Sequence, residues 1–398
     1  MDARQSEFRI PNNMVIAGGA TGGHLFPGIA IAQEFLSRHQ YNRIMFISIG
    51  NAFEKAVLAK YGFLNRNFGK ITISGIKGRG LQNQVKALLQ IPQSVVESLR
   101  LLNQSFYPQK PDIILGVGSY ASAPVVLAAR LMKLKSAIHE QNIRPGITNC
   151  LLARLANRIY SSFPNTQFKL SSKSEHPAIQ KKILVSGNPI RQEFMRSDIK
   201  TNEDDDLNFT VLICGGSQGA HRINMTMIEI PNYLKGAYHI IHQTGTDDEA
   251  MVRDAYRHKN IKASVRPFFH DMAWQYRKAD IIVCRAGATT IAEITAIGKP
   301  AIFIPFPHAA DNHQELNAAG LVAAGAAEMI PESELTAQRL AQRIDYYASH
   351  PNHLRQKAER SRVLGCPDAA RRIVDDCYRL IMKHQKSGFL EKPDFLQT

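Results

Sequence analysis

His24 directly follows the turn Gly18-Gly19-Ala20-Thr21-Gly22-Gly23. A histidine beside such a turn can take a proton from a hydroxyl, or cap the turn and donate a hydrogen bond to a ligand. Its unperturbed pKa, near 6.5, suits the first role. Two further small-residue turns follow apolar runs: Gly215-Gly216-Ser217-Gln218-Gly219-Ala220, and Arg285-Ala286-Gly287-Ala288-Thr289-Thr290 with Glu293 one helical turn on. Glycine lets backbone N–H groups approach an anion, and a helix N-terminus adds roughly half a positive charge. One such turn says little. Three of them point to a phosphate-bearing ligand at the carboxyl ends of parallel strands.

Other ligand classes fit less well. A P-loop is excluded because Gly69-Lys70 is followed by Ile71, with Leu64 where its first glycine belongs. Gly116-Val117-Gly118-Ser119-Tyr120-Ala121 is a loose dinucleotide fingerprint, with Glu140 further on, so a nicotinamide or flavin enzyme is the alternative. That match falls late in its sheet, and its acid is not at the usual spacing. The five cysteines include no CxxC pair and no zinc spacing, which reads as a reduced, cytosolic chain with Cys214 and Cys284 as small core residues. The acidic run Glu203–Asp206 reads as a solvated linker rather than a metal site.

The turns need strands to carry them. Short apolar runs alternate with amphipathic stretches, the pattern of βαβ units and doubly wound parallel sheets. The first half offers strands at 14–17, 43–49, 71–74, 112–116, 136–139 and 158–161, with helices at 28–37 and 124–132 among them. Pro27 suits a first helical turn. The second half offers strands at 209–214, 238–243, 263–268, 280–284 and 300–305. Gly187-Asn188-Pro189 and the polar run 200–208 suggest a boundary between two α/β domains.

Charge divides the chain as well. The 398 residues carry 49 Lys and Arg against 34 Asp and Glu, a formal +15. Residues 1–200 hold 26 basic and 10 acidic side chains, net +16, and residues 201–398 hold 23 and 24, net −1. The excess suggests an anionic partner, whether nucleic acid, an acidic membrane surface or a phosphorylated substrate, and its confinement to one half suggests that the two halves face different things. Residues 55–96 contain seven basic and no acidic side chains. Within them Ile76, Lys77, Arg79 and Leu81 form a glycine-interrupted loop that can set apolar tips among lipid headgroups. Residues 141–174 also lack acids. No run reaches the roughly 18–20 apolar residues of a membrane span, and Met1–Arg9 does not read as a signal peptide.

Together the motifs resemble the bacterial MurG family. The resemblance rests on the GG-x-TGGH turn, Gly116-Val117-Gly118-Ser119-Tyr120, His139-Glu140-Gln141-Asn142 with Pro145-Gly146, and Gly187-Asn188-Pro189-Ile190-Arg191. It continues with Gly215 to Ala220, His242-Gln243-Thr244-Gly245, Cys284-Arg285-Ala286-Gly287, and Pro305-Phe306-Pro307-His308 leading to Asp311-Asn312-His313-Gln314. It covers about residues 10–380 in order.

The resemblance implies a GT-B fold: two Rossmann-like doubly wound domains facing across a cleft. Residues 10–190, with a returning C-terminal helix at about 367–384, would face acceptor and membrane, and 191–366 would bind the donor. It also implies inverting, metal-independent and cofactor-free transfer of GlcNAc from UDP-GlcNAc to the MurNAc 4-hydroxyl of undecaprenyl-linked lipid I. The product would be lipid II, for peptidoglycan, cell shape and division. The location would be the cytoplasmic face of the inner membrane, bound peripherally to its anionic surface, with no nucleic-acid partner. Residue by residue, His24 matches the catalytic position. Thr21, Gly22, Gly23, Asn142 and Arg191 match cleft contacts of the first domain. Ser217, Phe269, Ala288, Thr289, Thr290, Ile291, Ala292, Glu293 and Gln314 match nucleotide-sugar contacts: Phe269 through its backbone to uracil, Glu293 to ribose, Thr290 and its neighbours to pyrophosphate, Gln314 to the sugar. Arg191 or Arg285 is a candidate for meeting leaving-group charge. One departure stands out: relative to GGTGGH, Ala20 is an extra residue in the first turn.

Overall fold

The computed structural model describes residues 12–64, 68–74, 81–169, 177–195, 208–216 and 219–390; for 81–88, 310 and 383–390 it describes the backbone. Two compact units emerge. One comprises residues up to Gln141, Pro145–Ser186 and the chain from Asp368 onward; the other comprises Asn142–Arg144 and Gly187–Pro367.

The first unit is built on seven parallel strands: β1 (Asn13–Ala17), β2 (Arg43–Ser48), β3 (Phe68–Lys70), β4 (Ile113–Gly116), β5 (Lys135–Glu140), β6 (Arg158–Ser161) and β7 (Ile183–Val185). Their order is β3-β2-β1-β4-β5-β6-β7. The chain winds outward one way from β1 and then the other, so the switch point lies between β1 and β4. There Ala17 stands opposite Gly116, and the glycine turns that follow both strands emerge side by side.

β1 is buried along its whole length. Side chains alternate across a strand, so Met14 and Ile16 pack on one face with Leu25, Ile29 and Phe35 of the helix Gly22–Arg38. Val15 and Ala17 pack on the other with Val125, Ala128 and Ala129 of the helix Ser122–Leu131. The C-terminal helix Ala369–Leu390 belongs to this unit, where Ile373, Val374, Cys377 and Ile381 join the first face. Each large aliphatic side chain so buried contributes about 1.5–3 kcal/mol. Asp376 fixes the helix in register: its carboxylate pairs with Arg158 at 2.7 Å and accepts from the Tyr160 hydroxyl at 3.1 Å.

The second unit repeats the plan with six parallel strands: β8 (Phe209–Cys214), β9 (Tyr238–Gln243), β10 (Ala263–Arg266), β11 (Ile281–Cys284), β12 (Ala301–Phe303) and β13 (Ala327–Met329). The order β10-β9-β8-β11-β12-β13 puts its switch point between β8 and β11, with Cys214 opposite Cys284. Both cysteines are buried. No group of three or more potential metal ligands occurs among the described residues.

The structure departs from the sequence pattern in three places. The strand expected at 71–74 lies earlier, at Phe68–Lys70. Ile71 extends that pairing by one bond, its N–H donating to Ser48 O at 2.9 Å. Ile71 and Ile73 alternate because both pack on the core beyond the strand end. The helix expected from Gly28 begins at Gly22, which places Pro27 inside it rather than in its first turn. The edge strands β7 and β13, three residues each, carry too few residues to show a period. The acidic run Glu203–Asp206 lies outside the described residues.

Candidate active site

In the first unit the glycine turn is held by the neighbouring helix Ala52–Lys60. The Glu54 carboxylate, fully buried, accepts from Ala20 N at 2.6 Å and from Asn51 N at 2.9 Å. The Asn51 side-chain amide donates to Ala20 O at 3.0 Å. The extra residue is therefore pinned at both peptide groups, and it adopts φ 67, a left-handed conformation that costs an L-residue roughly 1–2 kcal/mol. Beyond it Thr21 occupies the N-cap of the helix Gly22–Arg38 and makes no side-chain capping bond. Thr21 and Gly23 are exposed, Gly22 is buried, and His24 is half-buried.

His24 Nδ1 lies 3.1 Å from Gln141 Oε1, just past the end of β5. Gln141 is itself buried, with Nε2 donating to Val117 O at 2.7 Å and lying 3.1 Å from His139 Nδ1. His139 is a core histidine, as its place at a strand end leads one to expect. A Cβ on Gly118 would fall 2.5 Å from His24 Nδ1, and one on Gly18 would fall 2.2 Å from Gly118 O. The loose dinucleotide fingerprint thus serves local packing: its second glycine is glycine because the His24 ring stands against it. That removes the main support for a nicotinamide or flavin enzyme.

In the second unit the β8 turn is equally tight. A Cβ on Gly219 would meet Thr244 O at 2.0 Å. Ser217 lies outside the described residues. Gln243 ties this turn to the Phe269 segment: its Nε2 donates to Gly216 O at 3.0 Å, and its Oε1 accepts from Phe269 N at 2.9 Å. The Phe269 N–H is therefore already engaged, so a nucleobase seeking it must first displace the Gln243 side chain. Phe269 also borders a cavity of about 610 Å³ lined by Arg253, Arg257, Arg266, Trp274 and Lys278, which includes none of the glycine-turn residues.

The third turn runs into the helix Ala288–Ile297, whose N-cap is Gly287, a residue with no capping side chain. Such a start presents backbone N–H groups to an anion. Within the expected contacts, Ile291 is in the hydrophobic core and Ala292 packs against it, so neither presents its side chain to a ligand. Ala288 and Thr289 are buried, and Thr290 is half-buried.

Glu293 is buried, not a surface acid, and pairs with Arg191 Nη2 at 2.9 Å. Burial pushes its carboxyl above the usual range, against the pull of the Arg191 guanidinium. Arg191 also meets Glu193 at 3.1 Å, and it lies in the second unit rather than the first. Arg285 is likewise committed: Nη1 donates to Ile304 O and Pro305 O, each at 3.1 Å, and Nη2 pairs with Glu332. Both arginines are thus matched by carboxylates. Gln314 Oε1 accepts from Phe306 N at 3.0 Å, which fixes the loop after β12. Asn142 also belongs to the second unit, where its Oδ1 accepts from Asn317 Nδ2 at 3.0 Å. The candidate membrane residues Ile76, Lys77 and Arg79, and the side chain of Leu81, lie outside the described residues.

Gln141, Gln243 and Glu54 are the site residues that pattern reading passes over. The first two sit inside motifs, each immediately past or at a strand end, and that position was their only signal. Glu54 gave one only as the third residue of a helix behind Asn51.

Two Rossmann-like units, each with glycine turns at its switch point, define the GT-B class of glycosyltransferase. Residues 14–161 match the glycosyltransferase family 28 N-terminal domain, and residues 210–373 match the family's C-terminal domain. The chain is 44% identical over 92% of its length to the UDP-N-acetylglucosamine--N-acetylmuramyl-(pentapeptide) pyrophosphoryl-undecaprenol N-acetylglucosamine transferase of Syntrophus aciditrophicus, covering 98% of that protein. It is 42% identical over 93% of its length to the same enzyme of Myxococcus xanthus, covering 93% of it. The crystal structure of Acinetobacter baumannii MurG superposes with a TM-score of 0.69 at 30% identity, over 94% of this chain and all of that one. The chain belongs to the MurG family of N-acetylglucosaminyltransferases. The fold is shared more widely: a Neisseria meningitidis UDP-GlcNAc 2-epimerase bound to UDP-GlcNAc matches at 16% identity with a TM-score of 0.64 over 91% of this chain and 98% of that one.

Proposed function

We propose that this chain transfers GlcNAc from UDP-GlcNAc to the MurNAc 4-hydroxyl of lipid I, with inversion and without a metal ion, to make lipid II for peptidoglycan. The observation that carries the chemistry is the His24–Gln141 contact at 3.1 Å beside the first glycine turn. Inversion needs one in-line displacement. The acceptor O4 attacks the anomeric carbon from the face opposite UDP, forming the new C–O bond as the bond to the β-phosphate oxygen breaks. The O4 proton passes to His24, and the electron pair of the broken bond leaves on UDP. A positioned base of this kind contributes about 10²–10⁴-fold. The charge growing on UDP is met by backbone N–H groups at the start of the helix Ala288–Ile297, which need no reorganisation as it develops. Phe269, Glu293 and Gln314 are assigned to uracil, ribose and sugar in turn.

The acceptor is a lipid, so the enzyme works at the cytoplasmic face of the inner membrane as a peripheral protein. Among the described residues no helix is long and apolar enough to cross a membrane. The net +16 of residues 1–200 supports docking on an anionic leaflet. So do the exposed apolar side chains Leu89, Ile147 and Leu151, at 74%, 60% and 54% exposure, which lie in or beside acid-free stretches.

The test is transfer of labelled GlcNAc from UDP-GlcNAc to a lipid I analogue with and without EDTA, with the anomeric configuration of the product read by NMR. Transfer unaffected by EDTA and giving a β-linked product is expected. Loss of transfer in EDTA, or an α-linked product, would refute metal independence or inversion respectively.

A further inference from the structure

The geometry points to Gln141 as a positioning residue that sets the tautomer of His24, an inference that rests on His24 being the base. The directions of the hydrogen bonds follow from groups that can only accept. Val117 O is a carbonyl, so the Gln141 atom 2.7 Å away must be the amide nitrogen. That turns Oε1 toward His24, and an amide oxygen can only accept, so His24 must carry its proton on Nδ1. The basic lone pair is then on Nε2. The remaining Gln141 N–H points to His139 Nδ1 at 3.1 Å, which puts that ring's proton on Nε2, toward Ser162 Oγ at 3.4 Å. The Ser162 hydroxyl donates in turn to Glu140 O at 2.9 Å. The chain Glu140 O–Ser162–His139–Gln141–His24 therefore has one consistent polarity, and in the neutral ring it leaves the basic lone pair of His24 on Nε2.

Burial gives the arrangement its stiffness. Gln141 and His139 are both buried, so turning the amide over would set two oxygens against each other at Val117 and desolvate both. Gly118 leaves room for the ring: a Cβ there would fall 2.5 Å from Nδ1 and 2.8 Å from Cε1 of His24. Titratable groups on the same network include His139, behind Gln141, and Glu140, whose carboxylate accepts from Asn149 Nδ2 at 2.8 Å and Gly146 N at 3.2 Å. A histidine base that can protonate either nitrogen spends part of its population with the wrong nitrogen basic. A buried acceptor on Nδ1 removes that fraction.

The experiment compares His24→Ala, Gln141→Met and Gln141→Glu in the full-length protein with the lipid I analogue. Tautomers are read by nitrogen NMR of histidine-labelled protein, with the His24 signal assigned from its variant. Wild type is expected to hold His24 protonated on Nδ1. Gln141→Met is expected to mix the tautomers and lower kcat by about 10- to 100-fold, with both KM values within about threefold. Gln141→Glu restores an acceptor. It is expected to recover part of kcat and move the acidic limb of the kcat–pH profile upward, since a carboxylate favours the imidazolium. A wild-type His24 protonated on Nε2 overturns the inference. So does a Gln141→Met kcat within about twofold of wild type while His24→Ala is inactive, a result that leaves the base reading standing. Full turnover in His24→Ala would instead remove the base reading and this inference with it. If Gln141→Met does not fold, an unmoved acidic limb in Gln141→Glu is the result that overturns it.

Discussion

The Glu54 carboxylate holds Ala20 in a left-handed conformation, accepting its N–H at 2.6 Å at φ 67. The strain sits on a residue whose side chain gains nothing from it, while Glu54 and Asn51 restrain the peptide groups on either side.

Ala20→Gly should therefore stabilise the protein. Glycine reaches positive φ without the Cβ clash, which offsets the entropy it adds to the unfolded chain. The expected gain is about 0.5–1 kcal/mol in urea unfolding, with turnover unchanged within about twofold. Glu54→Gln should do the reverse. It replaces one of two buried acceptors with an N–H facing an N–H, at a cost of about 1–3 kcal/mol. A loss of about 0.5–1 kcal/mol in Ala20→Gly, the bare entropic cost of glycine, would show that the turn stores no strain.

Glu293 calls for a milder variant than alanine. Removing it takes a carboxylate partner from the buried Arg191 guanidinium, and breaking a buried pair costs about 3–5 kcal/mol. Glu293→Gln keeps the volume and an acceptor for Arg191. If Glu293 holds the ribose hydroxyls, this variant raises the donor KM by about tenfold or more, since a hydrogen bond to a charged group is worth about 1.5–3 kcal/mol. The KM for lipid I stays put. An unchanged donor KM in a folded Glu293→Gln protein would end the ribose assignment.

Much of this was legible in the sequence, for a local reason. The strand Ile281–Cys284 shows as a run because burial on both faces demands unbroken apolar residues. The glycine turns show because tight approach admits nothing larger. What could not be read are the partnerships across the chain. Gln141 meets His24 over 117 positions, and Glu293 meets Arg191 over 102. Neither residue carries a local mark of its partner. For the same reason the charge of Arg191 and Arg285 suggested anion contacts, whereas folding brings carboxylates to both. The strand Phe68–Lys70 escaped because Gly69 and Lys70 resemble a turn.

His242 makes stability depend on pH. It is fully buried between Tyr256 and Asn224, its Nδ1 and Nε2 each 3.0 Å from their partners. Burial pushes its pKa down to about 3, outweighing the opposite pull of Asp248. A depressed value means that the unfolded chain takes up a proton below about pH 6.5 while the folded chain does not. Stability is thus present above that pH and lost as pH falls toward 3, at about 1.4 kcal/mol per unit. His242→Gln removes this term. Its cost in urea unfolding should shrink by about 2 kcal/mol between pH 7 and pH 5. A cost that stays the same at both would mean that the imidazole is protonated in the fold.

Membrane docking and donor binding should separate with salt. The charge proposed for docking lies in residues 1–200, so raising salt from about 0.1 M toward 1 M shortens its reach from roughly 10 Å to 3 Å. Each lysine or arginine near an anionic leaflet contributes about 1 kcal/mol, so screening several of them loosens a peripheral protein by more than tenfold. The donor, by contrast, is assigned to backbone N–H groups and a buried carboxylate in a half of the chain whose net charge is −1. Those short contacts lie inside the distance that salt screens. Binding to vesicles of anionic lipid should therefore collapse with salt, while the Kd for UDP in the same buffers moves by no more than about threefold. Lys77→Glu with Arg79→Glu should imitate the salt at low ionic strength, weakening vesicle binding and leaving the UDP Kd alone. Equal losses of lipid and nucleotide binding, by salt or by these two changes, would mean that one surface serves both.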